Sequence, residues 1–181
     1  MTDFILSFDF WILDFIRAHI SCAFLDAVMP VITNLNNHGE IWIFVGIILL
    51  LTKKYRKYGV YLLVGLLIGL LLGNGVLKNL IARPRPFSFR PEVSLIILPP
   101  GSFSFPSGHT LSSFIAAFIL LRADKRFGVG GMILATLIAF SRLYLYVHFL
   151  TDILGAILLA FCISCVVLKA GEKHTKQGKS C

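Results

Sequence analysis

Two histidines, three basic side chains and one carboxylate fall in three short stretches of this chain, at spacings that chemistry can use. Lys78 and Arg85, followed by Pro86, form the first. Pro106, Ser107, Gly108 and His109 form the second, and Ser141, Arg142, His148 and Asp152 the third. An arginine matches phosphate oxygens as a fork and a lysine adds a point charge. Ser107 is a good N-cap for a following helix, whose first turn has free N–H groups and therefore attracts anions. Gly108 permits close backbone approach there, and His109 would stand beside the bound anion. His148 and Asp152 are four apart, so on a continuous helix they share a face one turn apart. A carboxylate in that position holds one imidazole nitrogen as N–H and leaves the other as a nucleophile or a base. Each stretch also has a plainer reading: a capped helix with an interfacial histidine, or a His–Asp pair that only orders a bundle. Together they supply charge clamps, a nucleophile with its orienting group, and a second histidine for a leaving oxygen, which are the parts of phosphoryl transfer.

Such residues need elements to hold them, and the composition says which kind. Hydrophobic residues make up 57% of the 181, charged residues only 14%, and the mean hydropathy is +0.84. An ordinary soluble domain carries about 25% charged residues, so this chain has too few for a water-facing surface. A disordered chain, a disulfide-stapled secreted domain and a soluble enzyme are disfavoured, and an integral membrane protein is expected, as one domain over residues 1–181. The net charge of +8 does not point to nucleic acid. Most of the basic residues fall in three groups: Lys53, Lys54, Arg56 and Lys57; Arg122, Lys125 and Arg126; Lys169, Lys173, Lys176 and Lys179. Each group ends an apolar run, where membrane proteins place cytoplasmic charge, and no basic face of a soluble module is present. Cys162 and Cys165 form a C-x-x-C inside an apolar stretch without a second pair, and read as lipid-compatible helix residues. The terminal Cys181 cannot begin a prenylation signal. The start, Met1-Thr2-Asp3, has no basic region, and Asp9, Asp14 and Arg17 interrupt what would be the apolar core of a secretory signal, so targeting is expected from the spans themselves.

A helix rises about 1.5 Å per residue, so a bilayer core of about 30 Å needs about 20 apolar residues. Residues 58–77 meet this; the run 41–51 is shorter but extends through the polar 34–40 segment, and the runs 107–121, 127–141 and 153–168 fall short, so their polar ends must reach the interface or the bundle interior. In the first 34 residues Phe10, Trp11, Ile12, Phe15, Ile16 and Ile20 alternate with Asp9, Asp14, Arg17 and His19, an amphipathic pattern. The expected fold is an all-α, polytopic membrane bundle: an amphipathic N-terminal helix, a first span at 23–33, and about six transmembrane helices in all.

Sidedness follows from the basic loops. With 53–57 in the cytoplasm, the next span runs outward, the 107–121 helix returns, and all three basic groups come to one side. Both termini are then expected in the cytoplasm. The same winding gathers residues 78–106, Ser107 to His109, and residues 141–152 at the opposite, extracytoplasmic face. Lys78, Arg83, Arg85, Arg90 and Arg142 sit there against the positive-inside rule, with Glu40, Glu92 and Asp152 as the acids expected near them. Cations at such a face normally line a polar cavity or pair, and an excess of them invites an anion such as phosphate.

The three stretches together resemble the type 2 phosphatidic acid phosphatase family, which is similar in its site to class A acid phosphatases and vanadium haloperoxidases. K-x6-R-P is matched by Lys78, Arg85 and Pro86, P-S-G-H by Pro106 to His109, and S-R-x5-H-x3-D by Ser141, Arg142, His148 and Asp152, without departure. The resemblance implies that His148 attacks phosphorus to give a phosphohistidine, oriented by Asp152. It implies that His109 protonates the leaving group and then activates water. Lys78, Arg85, Ser107, Gly108 and Arg142 would bind the phosphate oxygens. No metal or other cofactor is expected, since fixed cations neutralise the charge. The implied substrate is a lipid phosphate or diphosphate in the membrane, undecaprenyl diphosphate first, with phosphatidylglycerophosphate or phosphatidate as alternatives. No obligatory protein partner is inferred. A lipid phosphotransferase would use the same residues, and a non-catalytic anion carrier would need neither histidine. Arg83 and Arg90 lie outside the pattern and read first as solvated loop cations, with contact to a second phosphate or a lipid headgroup as the alternative. Tyr144 and Tyr146 read as interfacial packing, and Gly73, Asn74 and Gly75 as close helix packing near the site.

Overall fold

Every regular element among the described residues of the computed structural model is helical; it describes residues 2–177, and side chains from Asp3 to Lys173. Met1, Lys179 and Cys181 lie outside the described residues. The helices are α1 (Thr2–His19), α2 (Ala23–Asn34), α3 (Glu40–Leu51), α4 (Arg56–Gly69), α5 (Lys78–Ile81), α6 (Pro86–Phe89), α7 (Gly108–Ala123), α8 (Lys125–Tyr144) and α9 (Leu150–Gln177). Three stretches are long and apolar enough to cross a membrane: Arg56–Phe89, Lys125–Tyr144 and Leu150–Lys173. Ala23–Asn34, Glu40–Leu51 and Gly108–Ala123 are shorter apolar helices.

α7 is apolar on nearly every face, which is the pattern of a helix surrounded by others. It packs against α4, α8 and α9, burying Leu111, Ile115, Ile119 and Leu120. The outer helices instead expose Phe44, Leu67, Leu71, Leu158, Phe161 and Val166, as helices facing lipid do. The seam between α4 and α7 depends on absent side chains. Gly65, Gly69 and Gly73 recur every four residues, and a Cβ on each would lie 2.9 Å, 2.7 Å and 2.5 Å from atoms of Ile115, Ile115 and Leu111. Small residues at this spacing let two helices approach closely, as in membrane bundles generally.

Between α4 and α5 the chain widens into a π-helical stretch, Leu70–Leu77, closed by the Lys78 N–H donating to the Gly73 carbonyl five residues back. The close packing expected at Gly73, Asn74 and Gly75 takes this form: Gly73 is buried against Leu111 and Asn74 lies against Gly108, in wider turns than an α-helix has. α5 stops at Ala82, which has a left-handed φ of 48°, and Pro84 and Pro86 keep the residues before them out of helix. The chain between them therefore leaves the bundle axis carrying Arg83 and Arg85.

α1 lies against the 83–90 and 145–152 segments at one end of the bundle, and α2 against the last turns of α8. α1 buries Asp9, Leu13 and Ile16 and exposes Phe4, Phe8, Trp11 and Phe15. Asp14 accepts two hydrogen bonds from Arg90, at 2.6 Å and 2.7 Å, and one from the Tyr146 hydroxyl. Arg90 also stacks over Phe10 at 4.4 Å. Arg90 is therefore a docking residue for α1, not a solvated cation, and Asp14 is an acid at this face besides Glu40, Glu92 and Asp152. Tyr144 and Tyr146 are buried as packing residues, and each also anchors an N-terminal helix: the Tyr144 hydroxyl donates to Asp26 of α2. Cys22 at the start of α2 meets Tyr144, and Thr33 near its end meets Arg142, so both ends of α2 touch the last turns of α8.

Candidate active site

Three separate turns converge on a cavity of about 1030 Å³ at this end of the bundle. Lys78, Arg85, Gly108, His109, Arg142 and His148 all line it. Ser107 and Asp152 do not; both are fully buried behind the wall. The Ser107 side chain caps α7 by accepting from the Thr110 N–H at 3.4 Å and the Thr110 hydroxyl at 3.0 Å. In both contacts the hydroxyl is the acceptor, so its own O–H is not used by the cap. The cavity reaches the first turn of α7 through Gly108, and a Cβ there would lie 3.0 Å from the Asn74 amide oxygen.

His148 and Asp152 meet, but not on one helix. α9 begins at Leu150, and His148 belongs to the preceding loop, where Tyr146 adopts a left-handed φ of 60°. Asp152 in the first turn folds back to accept from the Phe149 N–H at 2.9 Å, and its Oδ2 lies 3.5 Å from Nδ1 of His148. On the other side of the ring, Nη1 of Arg85 lies 3.2 Å from Nε2. A guanidinium can only donate, so Nε2 accepts and the proton of the neutral ring belongs on Nδ1, toward the carboxylate. Burial pushes the His148 imidazole down to about 3, opposed by its hydrogen bond to Asp152. The ring is therefore neutral at ordinary pH, with Nε2 as its proton-free nitrogen.

The cations are held by different means. Arg85 donates through Nε to the Ser102 carbonyl, through Nη2 to the Ser102 hydroxyl and the Phe103 carbonyl, and through Nη1 to the Val147 carbonyl. The Lys78 ammonium donates to the same Ser102 hydroxyl at 3.1 Å. Arg142 donates through Nη1 to the Thr33 hydroxyl, and its buried Nε has no partner among the described residues. An unpaired buried donor on the cavity wall is suited to an anion. His109 places Nε2 3.3 Å from the Asn37 amide oxygen.

Arg83 is not a solvated cation either. It donates to Asp152 Oδ1 at 2.6 Å, to the Thr151 hydroxyl at 2.7 Å and to Asp9 at 2.8 Å, and stacks over Phe149 at 4.2 Å. Ser104, fully buried, donates to Asp152 Oδ2. Asp9, Thr33, Asn37, Ser102 and Ser104 escaped the sequence reading. The only trace of them was the polarity of 34–40 and the two aspartates breaking the first apolar run.

With this geometry in view, a family profile described as the PAP2 superfamily matches residues 56–176. The chain belongs to the PAP2 superfamily. Among PAP2 relatives, it is 38% identical over 133 residues to a Sulfolobus acidocaldarius protein named undecaprenyl-diphosphatase, covering 72% of this chain and 64% of the relative. It is 37% identical over 125 residues to Bacillus subtilis phosphatidylglycerophosphatase B, covering 60% of this chain and 59% of the relative. The matched part thus spans less than two thirds of either relative. The crystal structure of a Bacillus subtilis transmembrane PAP2-type phosphatidylglycerolphosphate phosphatase superposes with a TM-score of 0.76 at 28% identity, over 93% of this chain and 87% of that one. The PAP2 match begins at residue 56, so Asp9, Thr33 and Asn37 approach the motif residues from outside it.

Proposed function

We propose that this PAP2 protein is a membrane lipid phosphatase that removes a phosphate from undecaprenyl diphosphate through a phosphohistidine. The single observation that carries the reading is the His148 ring, set between Asp152 at Nδ1 and Arg85 at Nε2 on the wall of a cavity that also exposes Lys78, Arg142, Gly108 and His109. In the proposed cycle the Nε2 lone pair forms a bond to the terminal phosphorus as the bond to the bridging oxygen breaks. His109 gives a proton to that leaving oxygen, then takes one from a water that attacks phosphorus and releases His148. Lys78, Arg85, Arg142 and the N–H groups beside Ser107 and Gly108 stabilise the charge on the equatorial oxygens. These fixed cations fill the role that metal ions fill in other phosphoryl-transfer enzymes, so turnover is expected in excess EDTA.

The first-named substrate rests on the Sulfolobus acidocaldarius relative, and phosphatidylglycerophosphate is the second reading because of the Bacillus subtilis one. The topology that accompanies this function has five crossings: α3, α4 with its π-helical extension, α7, α8 and α9. α2 keeps both of its ends against the last turns of α8 instead of running along the bundle as the expected first span would, so α1 and α2 rest on the site end. With the site extracytoplasmic, the N-terminus then lies outside and the C-terminus inside, in place of two cytoplasmic termini. The test is phosphate release in detergent with EDTA from undecaprenyl diphosphate, phosphatidylglycerophosphate and phosphatidate, beside His148→Ala. Release by the parent alone supports the phosphatase reading, and the ranking selects the lipid. No release from any lipid overturns it in favour of phosphotransfer or anion binding.

A further inference from the structure

Asp152 has two oxygens, and only one faces the histidine. Oδ2 receives Ser104, the Phe149 N–H and the His148 ring. Oδ1 receives Arg83. Arg83 is in turn held by Asp9, which comes from the middle of α1 and is fully buried. The same Asp9 carboxylate accepts from the Thr151 N–H at 3.0 Å and from the Thr151 hydroxyl, fixing the residue next to Asp152. We infer that the Asp9–Arg83 pair is a positioning device for the reaction: α1 sets the rotation of Asp152, and through it the tautomer and aim of His148.

Several observations set this apart from ordinary helix docking. A buried carboxylate is costly unless it is paired and hydrogen-bonded, and among the described residues Asp9 accepts from Arg83 and Thr151. Arg83 bridges Asp9 and Asp152 with its two terminal nitrogens, Nη2 to one carboxylate and Nη1 to the other, so the position of one is transmitted to the other. Docking has separate means: Asp14 with Arg90 and Tyr146, one and a half turns further along α1, and the edge contacts of Phe10 on Phe89 and Phe149. The Asp14 pair is partly exposed, with side-chain exposures of 34% for Arg90 and 44% for Asp14, whereas Asp9 is at 0%. An orienting carboxylate held at both oxygens has one usable geometry, and nucleophilic attack is sensitive to displacements of about 1 Å.

This inference rests on the proposed role of His148, and the experiment separates the two. The variants are Asp9→Asn, Arg83→Gln, Arg83→Lys, Asp14→Asn and His148→Ala, each assayed for kcat and KM on undecaprenyl diphosphate in mixed micelles and for melting temperature in detergent. Asp9→Asn is isosteric but turns an amide toward Arg83. It and Arg83→Gln are expected to lower kcat at least about tenfold with KM within about twofold of the parent. Arg83→Lys, which keeps a cation between the carboxylates, is expected to recover part of the loss. Asp14→Asn removes a docking contact of the same helix, and its kcat should stay within about twofold of the parent. The inference falls if Asp9→Asn keeps parental kcat, if its loss appears in KM, or if Asp14→Asn loses as much as Asp9→Asn. Should Asp9→Asn fail to purify, the contrast of Arg83→Gln with Arg83→Lys decides. Turnover by His148→Ala would instead overturn the phosphohistidine reading itself.

Discussion

Arg85 and His148 face each other across 3.2 Å, with Nη1 of the arginine directed at Nε2 of the imidazole and at the Val147 carbonyl 2.7 Å away. A single side chain thereby holds the loop that carries His148, reads its tautomer and charges the cavity. Arg85→Lys keeps the charge but has one nitrogen where the arginine uses three, so it cannot serve Ser102, Phe103, Val147 and His148 together. Its kcat is expected to fall about a hundredfold, the scale of losing one charge-stabilising donor, with phosphate release as the measure.

The neutrality of His148 has a consequence for stability. Its value in the folded chain, about 3, lies below its ordinary 6.5, so between these limits the unfolded chain binds the extra proton. The contribution to stability is complete above about 6.5 and declines as the pH falls toward 3. His148→Asn removes this titration. The melting temperature of the parent in detergent should therefore drop more between pH 7 and pH 5 than that of His148→Asn; equal drops would contradict the buried, neutral ring.

At the α4–α7 seam, Gly73→Val adds a branched side chain where a Cβ already lies 2.5 Å from Leu111 Cδ2. The cost expected is about 1–3 kcal/mol, together with lost turnover, because the π-helical turn that carries Lys78 must move. Leu111→Ala empties the space opposite. The double variant should melt higher than the sum of the single losses, a coupling that exists only if the two residues touch.

The N-terminal arrangement is open to labelling. In a background with the four cysteines replaced, His19→Cys at the end of α1 should react with a membrane-impermeant maleimide in intact cells. Lys57→Cys, in the first basic group, should react only after the membrane is opened. Protection of His19→Cys in intact cells would restore a sixth crossing between α1 and α3.

The sequence by itself determined the bundle class, the main apolar helices and the motif residues, because each of these is a local property. Hydropathy runs, grouped lysines and fixed spacings such as 78 to 85 or 148 to 152 are legible without knowing what lies opposite. That Lys78, Arg85, Gly108, His109, Arg142 and His148 line one cavity is a property of the folded bundle. What tertiary structure decided is everything that crosses the chain. Asp9 meets Arg83 over 74 residues, Thr33 meets Arg142 over 109, and Asn37 meets His109 over 72. No spacing rule spans such distances, and a buried aspartate in an amphipathic helix looks the same in sequence as a solvated one. Burial separates them: once α1 covers the 83–90 and 145–152 segments, the desolvated carboxylate and guanidinium must find each other, and the pair they form falls beside the histidine.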